Sequence, residues 1–476
     1  GHRDLLECPA QVRGALPWTA FSVLVLGTAI CLGGYWAYRT LGWGGYWGWD
    51  PVENSSFVPW LFGVALLHGL VVQSHRGLLK RLNLFLAICG LMLVLYSTFL
   101  TRSGVLGDFS VHSFVDLGIN GYLIAFVVVY GLLSYGLYFW RLGGIREKSF
   151  GENFLTREYG MFLGSLSITL FAIFVLIGTS APLLTRIAGE PSNVSMDYYK
   201  AIAVPFGILI TGLLAVAPNL FWGTRRKSPL WKSLLSPAIL GALTTVLLFL
   251  LGVKGVPYLL MAFTAGLAFF VNLEIVLSTI SKNPMRAGGF IVHAGLGLML
   301  IGIITSTIYD RSESLVLPKG QTAEALGYRF LWQGERSIDG GKKMAYDIAV
   351  MTGDGKTVTA SPVMFFSAYS NGVMRRPAIK RFARGDLYLA PQGVDRDEAL
   401  DKMDKRELSL RMGETATVGS TVIRFDSFQP GEMTSERIEI GANLTVTANG
   451  LTETARPAVI ATNEGQQYTE AFVEAD

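Results

Sequence analysis

Residues 57–75 read FVPWLFGVALLHGLVVQSH, nineteen positions without an Asp, Glu, Lys or Arg and with two histidines, His68 and His75. About 20 predominantly apolar residues in a helix cross the roughly 30 Å hydrocarbon core of a bilayer. Eight further stretches have the same character: 17–38, 82–100, 119–140, 160–180, 200–222, 234–253, 257–280 and 287–309. The fold class expected is therefore a polytopic α-helical membrane protein with about nine transmembrane helices. The bulk composition agrees, because 51% of the 476 residues are hydrophobic and 16% charged, against roughly a quarter charged in soluble domains. A mean hydropathy of +0.41 argues against a purely soluble enzyme. The net charge of +4 is too small to suggest a nucleic-acid partner; its placement matters more.

The loops between spans alternate in basic content. Arg3, Arg13, Arg76, Lys80, Arg81, Arg141, Arg146, Lys148, Arg157, Arg225, Arg226, Lys227, Lys232, Lys282 and Arg286 fall on one side, whereas Arg39, Arg102, Arg186, Lys200 and Lys254 fall on the other. The positive-inside bias puts the first side in the cytoplasm, so nine crossings carry everything after residue 309 outside. That remainder has ordinary soluble composition and alternates β-branched with polar residues between Gly-rich turns, which predicts an extracytoplasmic all-β region. Leu315–Trp332 (LVLPKGQTAEALGYRFLW) resembles Leu408–Phe425 (LSLRMGETATVGSTVIRF), an internal repeat offset by 93 residues. The expected domains are a membrane domain over 1–309 with a Trp-rich loop at 40–56, and two β-domains at 310–400 and 401–476. Cys8, Cys31 and Cys89 form no CxxC pair, so neither a zinc site nor a disulfide framework follows.

Gly42–Asn54, GWGGYWGWDPVEN, crowds Trp43, Tyr46, Trp47 and Trp49 among four glycines and closes on Asp50, Pro51, Glu53 and Asn54. An interfacial aromatic belt is one account. Glycines that let a backbone approach something flat, with rings lining a slot, are another, and they suit a planar apolar ligand with charged edges. His68 and His293 lie within spans, where an ionisable side chain marks a functional site by default. Each is seven residues from its predicted cytoplasmic boundary, at His75 and Arg286 respectively, hence roughly 10 Å deep at 1.5 Å per residue. Two neutral imidazoles at one depth can ligate an iron from both sides; packing hydrogen bonds to neighbouring helices are the alternative. His75 reads as interfacial and His2 as part of a polar terminus. Arg102, straight after an apolar run, suits a carboxylate or a lipid headgroup.

The segment WGGYWGWDPVENSSFVPW resembles the tryptophan-rich WWD signature of the haem-handling family, in the form carried by the CcmF-type cytochrome c haem lyases. LLHGL, TFLTRSGVLGDFSVHSF and VHAGLGLMLIGI extend the resemblance over most of 17–309, with Tyr46 replacing a usual Trp. The resemblance implies a resident haem b held by His68 and His293, and a substrate haem held over Trp43, Tyr46, Trp47, Trp49, Asp50, Glu53 and Asn54. It also implies His112 as an external axial ligand and Arg102 as a propionate contact. The activity implied is thioether attachment of haem to the CxxCH thiols of apocytochrome c, with no catalytic triad of the chain's own. A haem exporter or presenter without catalysis is the other reading. Implied partners are a haem chaperone, apocytochrome c and the thiol-handling subunits of the cytochrome c maturation system, besides the lipid bilayer. The implied location is the bacterial inner membrane, with the β region in the periplasm. No earlier histidine serves as the second external ligand of that family, so further N-terminal spans, and a helix after the β region, are expected in a longer form.

Overall fold

The computed structural model describes residues 9–41, 45–106, 110, 118–223, 228–367, 372–382, 385–394, 408–418, 421–433, 437–448, 451–462 and 465–469. Ten α-helices precede fourteen strands: α1 Pro9–Thr40, α2 Pro51–Arg76, α3 Lys80–Arg102, α4 Asn120–Arg141, α5 Arg157–Thr179, α6 Ala181–Ala188, α7 Met196–Val216, α8 Trp231–Leu250, α9 Val256–Thr279 and α10 Pro284–Tyr309. All but the short α6 are long and apolar enough to span a membrane, nine among the described residues. The expected membrane architecture followed by β structure is the observed one.

Two helices organise the rest. α2 packs against α1, α3 and α5, and Val58, Leu61, Phe62 and Ala65 on it meet Leu86, Leu93, Ala172 and Val175 in a buried cluster. α9 plays the same part for α7, α8 and α10. Helices in lipid gain little from the hydrophobic effect and associate through small residues and interhelical hydrogen bonds. Accordingly, a Cβ on Gly297 of α10 would come 2.8 Å from the Ala265 carbonyl oxygen of α9. Between α7 and α9, Thr211 Oγ1 donates to Thr264 Oγ1 at 2.8 Å. Asn272 in α9 donates to the Leu214 carbonyl at 3.2 Å, so that polar residue fastens helices together, while Glu274 is exposed.

The strands are β1 Thr322–Ala325, β2 Tyr328–Ile338, β3 Lys343–Met351, β4 Thr357–Ala360, β5 Val363–Ser367, β6 Gly372–Arg376, β7 Ala378–Phe382 and β8 Gly385–Leu389. They continue with β9 Thr415–Val418, β10 Thr421–Met433, β11 Arg437–Ala448, β12 Leu451–Ala455, β13 Ala458–Thr462 and β14 Gly465–Thr469. One antiparallel sheet has the order β1-β2-β3-β5-β6 with β4 on the other end of β3; the second has β9-β10-β11-β13-β14 with β12 on the other end of β11. The two sheets share one topology, and finer details repeat as well. Gly320 (φ +77°) and Gly413 (φ +81°) occupy the left-handed region that glycine tolerates. Their N–H groups donate to the carbonyls of Trp332 and Phe425, and directly after each of those residues the strand register shifts at a bulge. The repeat read in the sequence is thus a repeat of turn, bulge and strand order.

By packing, the chain forms two compact units, residues 1–392 and 393–476. Within the first, β7 and β8 form a separate two-stranded sheet that packs on the first six-stranded one, with Leu387 buried against Phe330, Val350 and Ala360. The same hairpin grips the end of α1. Tyr38 donates to Asp386 at 2.9 Å, Tyr388 donates to the Leu41 carbonyl, and the two tyrosine rings lie 5.5 Å apart.

Carboxylates brace both sheets. Asp347 accepts from Ser361 at 2.5 Å and from Arg336 at 2.9 Å, bonds that hold its carboxyl below the usual range. Asp426 is lowered by Thr445 and then Arg424, and Asp354 is lowered to about 2, chiefly by Thr352. Groups depressed in the fold contribute stability above their unfolded pKa, near 3.9, and lose it as pH falls through the folded value. An acid titration of the β circular dichroism signal of the full chain should therefore be flat above about pH 5 and fall below about pH 4. Asp347→Asn should make that fall shallower.

Candidate functional site

The Trp-rich loop is built around the start of α2. Asp50 is the N-cap: its Oδ1 accepts from Val52 N–H at 2.8 Å, while Glu53 Oε2 accepts from the N–H groups of Gly48 (2.9 Å) and Asp50 (3.2 Å). This is a capping box with Pro51 at the first helical position. Asn54, fully buried, donates to the Trp49 carbonyl at 2.9 Å and helps hold Trp49 at φ +54°. A non-glycine residue seldom adopts that conformation. Here it turns the indole inward, stacked on Tyr199 at 4.9 Å and 5°, with Trp47 and Phe57 edge-on.

Trp49 therefore belongs to the helix core, and Asp50, Glu53 and Asn54 satisfy the loop's own backbone. Tyr46 is exposed, while Trp47 is half-buried against Trp49 and Phe57 with one side on a cavity. Tyr46, 42% exposed, shares a 2.9 Å hydrogen bond with Ser306 near the end of α10. Trp47 walls a cavity of about 290 Å³ whose other sides include Leu26, Ile30, Gly33 and Gly34 of α1 with Val52 and Glu53 of α2. The cavity is apolar apart from Glu53 and Ser56, a lining suited to the edge of a flat apolar ligand. Ser110 reaches Asp50 Oδ1 at 2.8 Å, a bond that is buried at both ends and ties the segment after α3 to the loop. Trp43 and His112 lie outside the described residues. Arg102 ends α3.

Deeper in the bundle, His68 of α2 and His293 of α10 face one another with ring centres 6.0 Å apart and planes 14° from parallel. The two helices are not packed on each other; α10 packs on α9. His68 Nδ1 lies 2.8 Å from the Val64 carbonyl. A carbonyl only accepts, so Nδ1 carries the proton and Nε2 keeps its lone pair. His293 Nδ1 is buried without a hydrogen-bond partner among the described residues. Two imidazoles each holding one metal ion at about 2 Å would have centres about 6 Å apart. The separation of the two rings matches that of two imidazoles on one iron, and among the described residues no group of three or more His, Cys, Asp or Glu is placed to hold a metal ion.

The equal depth of the histidines was legible in the spacing of their spans, and the structure brings them together. His75, at the other end of α2, stacks on Trp222 at 4.6 Å and 4° beside the Arg76–Glu158 ion pair (3.3 Å), a packing role. Sequence reasoning missed Tyr199, Ser110 and Ser306. Their contacts join residues 60 to 260 positions apart, and no local pattern announces such pairs.

Nine apolar helices among the described residues, a Trp-rich loop clamped across α1, α2 and α10, and a facing imidazole pair define a polytopic membrane protein. Comparison with known proteins points the same way. Residues 9–106 match the family described as cytochrome c assembly protein. The cytochrome c-type biogenesis protein CcmF of Pseudomonas aeruginosa is 32% identical over 405 residues, covering 80% of this chain and 60% of that protein. CcmF of Escherichia coli is 32% identical over 395 residues, 79% of this chain and 60% of its own length. CycK of Rhizobium meliloti is 33% identical over 350 residues, 69% and 51% respectively. A solved structure titled cytochrome c heme lyase CcmF superposes with a TM-score of 0.62 at 27% identity, over 78% of this chain and 59% of that one. The chain spans about 60% of the length of the first of these relatives. Over about 80% of its length the chain is similar to the CcmF-type cytochrome c biogenesis proteins.

Trp49 and Trp47 should respond differently to truncation. Trp49→Ala removes a core ring and should cost about 3–5 kcal/mol, whereas Trp47→Ala, beside a cavity, should cost markedly less. Thermal unfolding of the full chain in detergent, followed by circular dichroism, separates the two.

Proposed function

We propose that the protein is a haem lyase of the bacterial inner membrane. It would hold a resident haem b between His68 and His293 and receive a substrate haem at the Trp-rich loop on the periplasmic side. The observation that carries this reading is the imidazole pair: 6.0 Å between ring centres, in apolar surroundings, on helices not packed together. In the bond-forming step each apocytochrome thiol adds across a haem vinyl group, sulfur to the carbon next to the ring and hydrogen to the terminal carbon. No electrons are consumed overall and no nucleophile of the chain is required. The protein's work is orientation, which can supply much of a barrier when reactants are held near attack distance.

Trp47 and Tyr46 offer the flat surface, with Trp43 and His112 as further contacts on the resemblance noted above and Arg102 as the partner for a propionate. Asp50, Glu53 and Asn54 act one step back, holding the loop in shape. A haem b ligated by two histidines supplies a one-electron couple, and clean thioether formation asks for ferrous substrate. His68 contributes by presenting Nε2 with its tautomer fixed by Val64. The β region, continuous with α10 and fastened to α1 through Tyr38 and Tyr388, is suited to docking partners of the maturation system: a haem chaperone, apocytochrome c and thiol-handling subunits. Strand edges offer extended segments a place to pair.

The test is twofold. Purified protein should show a low-spin b-type absorption spectrum that sharpens on reduction, and the His68→Ala/His293→Ala double variant should lack it. Co-production with those maturation partners and a CxxCH-bearing apocytochrome should yield covalently bound haem by peroxidase stain after denaturing electrophoresis. Wild-type protein free of b-type haem would refute the reading; a haem spectrum without covalent product would leave a presenter in place of a lyase.

A further inference from the structure

His68 and His293 are not held alike. The His68 ring is anchored to the helix carbonyl four residues earlier, Val64, at 2.8 Å. His293 has the corresponding carbonyl of Gly289 on its own helix, yet its Nδ1 is buried without a partner among the described residues. Its ring is flanked edge-on by Phe290 at 6.5 Å and 85°. The supporting helices differ in the same sense. α2 is enclosed by α1, α3 and α5, whereas α10 leans on α9 and leaves Ile291, Val292 and Leu298 beside the histidine exposed.

A hydrogen bond from the non-ligating nitrogen fixes the tautomer and the ring orientation and makes an imidazole a better donor; such outer partners are worth about 10- to 100-fold in metal affinity. We propose that the two ligands are unequal: His68 is the permanent axial ligand and His293 the exchangeable one. The iron between them would then open on its α10 side to a small neutral donor such as imidazole or carbon monoxide. This rests on the haem b reading above and assigns separate roles to the two residues. Exchange replaces one neutral nitrogen donor by another neutral donor, so no electron or proton is consumed.

The experiment uses the purified full chain, with haem content by pyridine haemochrome and spin state by absorption. His293→Ala should retain haem within about twofold of wild type, turn high-spin, and regain the low-spin spectrum with added imidazole. His68→Ala should lose haem by about 10- to 100-fold. Equal losses in the two variants, or the greater loss in His293→Ala, would overturn the proposal. Because His68→Ala could fail through misfolding, a second measurement uses no substitution: the dithionite-reduced wild type should bind carbon monoxide saturably, and the absence of binding overturns the proposal. Failure of the haem b reading is distinguishable, since the wild type would then carry no haem to exchange.

Discussion

The capping box that starts α2 is the interaction on which the remainder of the site depends. A helix entering a bilayer brings N–H groups without intrahelical partners, and Asp50 and Glu53 take up those of Val52, Gly48 and Asp50 itself. With both carboxylates so engaged, the chain before α2 must turn back on itself, and Trp49 is driven inward onto Tyr199. The loop thereby becomes rigid, with Trp49 in the core, Trp47 half-buried beside the cavity and Tyr46 exposed. The same helix, fifteen residues after Glu53, presents His68. A cap at one end of α2 thus sets the register of a ligand about 22 Å away at 1.5 Å per residue.

The second histidine helix enters the same framework from its far end. Ser306 of α10 bonds Tyr46 of the loop, and His293 lies thirteen residues earlier in the chain. α2 and α10 are therefore linked at the loop while remaining unpacked at the level of the imidazoles. That arrangement leaves room for a planar group, and the Tyr46 phenol reaches a hydroxyl on α10. The β7–β8 hairpin adds a third fastening at the end of α1, bringing the first sheet within one loop of the Trp-rich segment.

Much of this was legible in the chain. Nine runs of hydropathy marked the spans, because lipid forces every spanning helix to be apolar along its length. The short α6 was not foreseen, since Ala181–Ala188 is too brief to stand out in a connecting segment. The β repeat was visible because the Gly320 and Gly413 turns impose a local constraint on sequence. Equal depth made the pairing of His68 with His293 one of two readings, beside packing hydrogen bonds to neighbouring helices; that only the His68 ring bonds its own helix had no sequence signal, because it depends on a rotamer. The resemblance placed Asp50 and Glu53 among the residues under a substrate haem; in the structure both accept from backbone N–H groups, and Asp50 also accepts from the Ser110 hydroxyl. That role was available in the Asp-Pro-x-Glu spacing, which is a capping pattern. The stack of Trp49 on Tyr199 had no signature at all.

The central claim is that two near-parallel imidazoles from α2 and α10 share one iron. Electron paramagnetic resonance of the oxidised protein as purified tests it most directly, because the angle between two axial imidazole planes governs the anisotropy of a low-spin ferric haem. With the planes 14° apart, the account predicts a rhombic low-spin signal. A purely high-spin signal, or the strongly axial low-spin signal of perpendicular ligands, would contradict it.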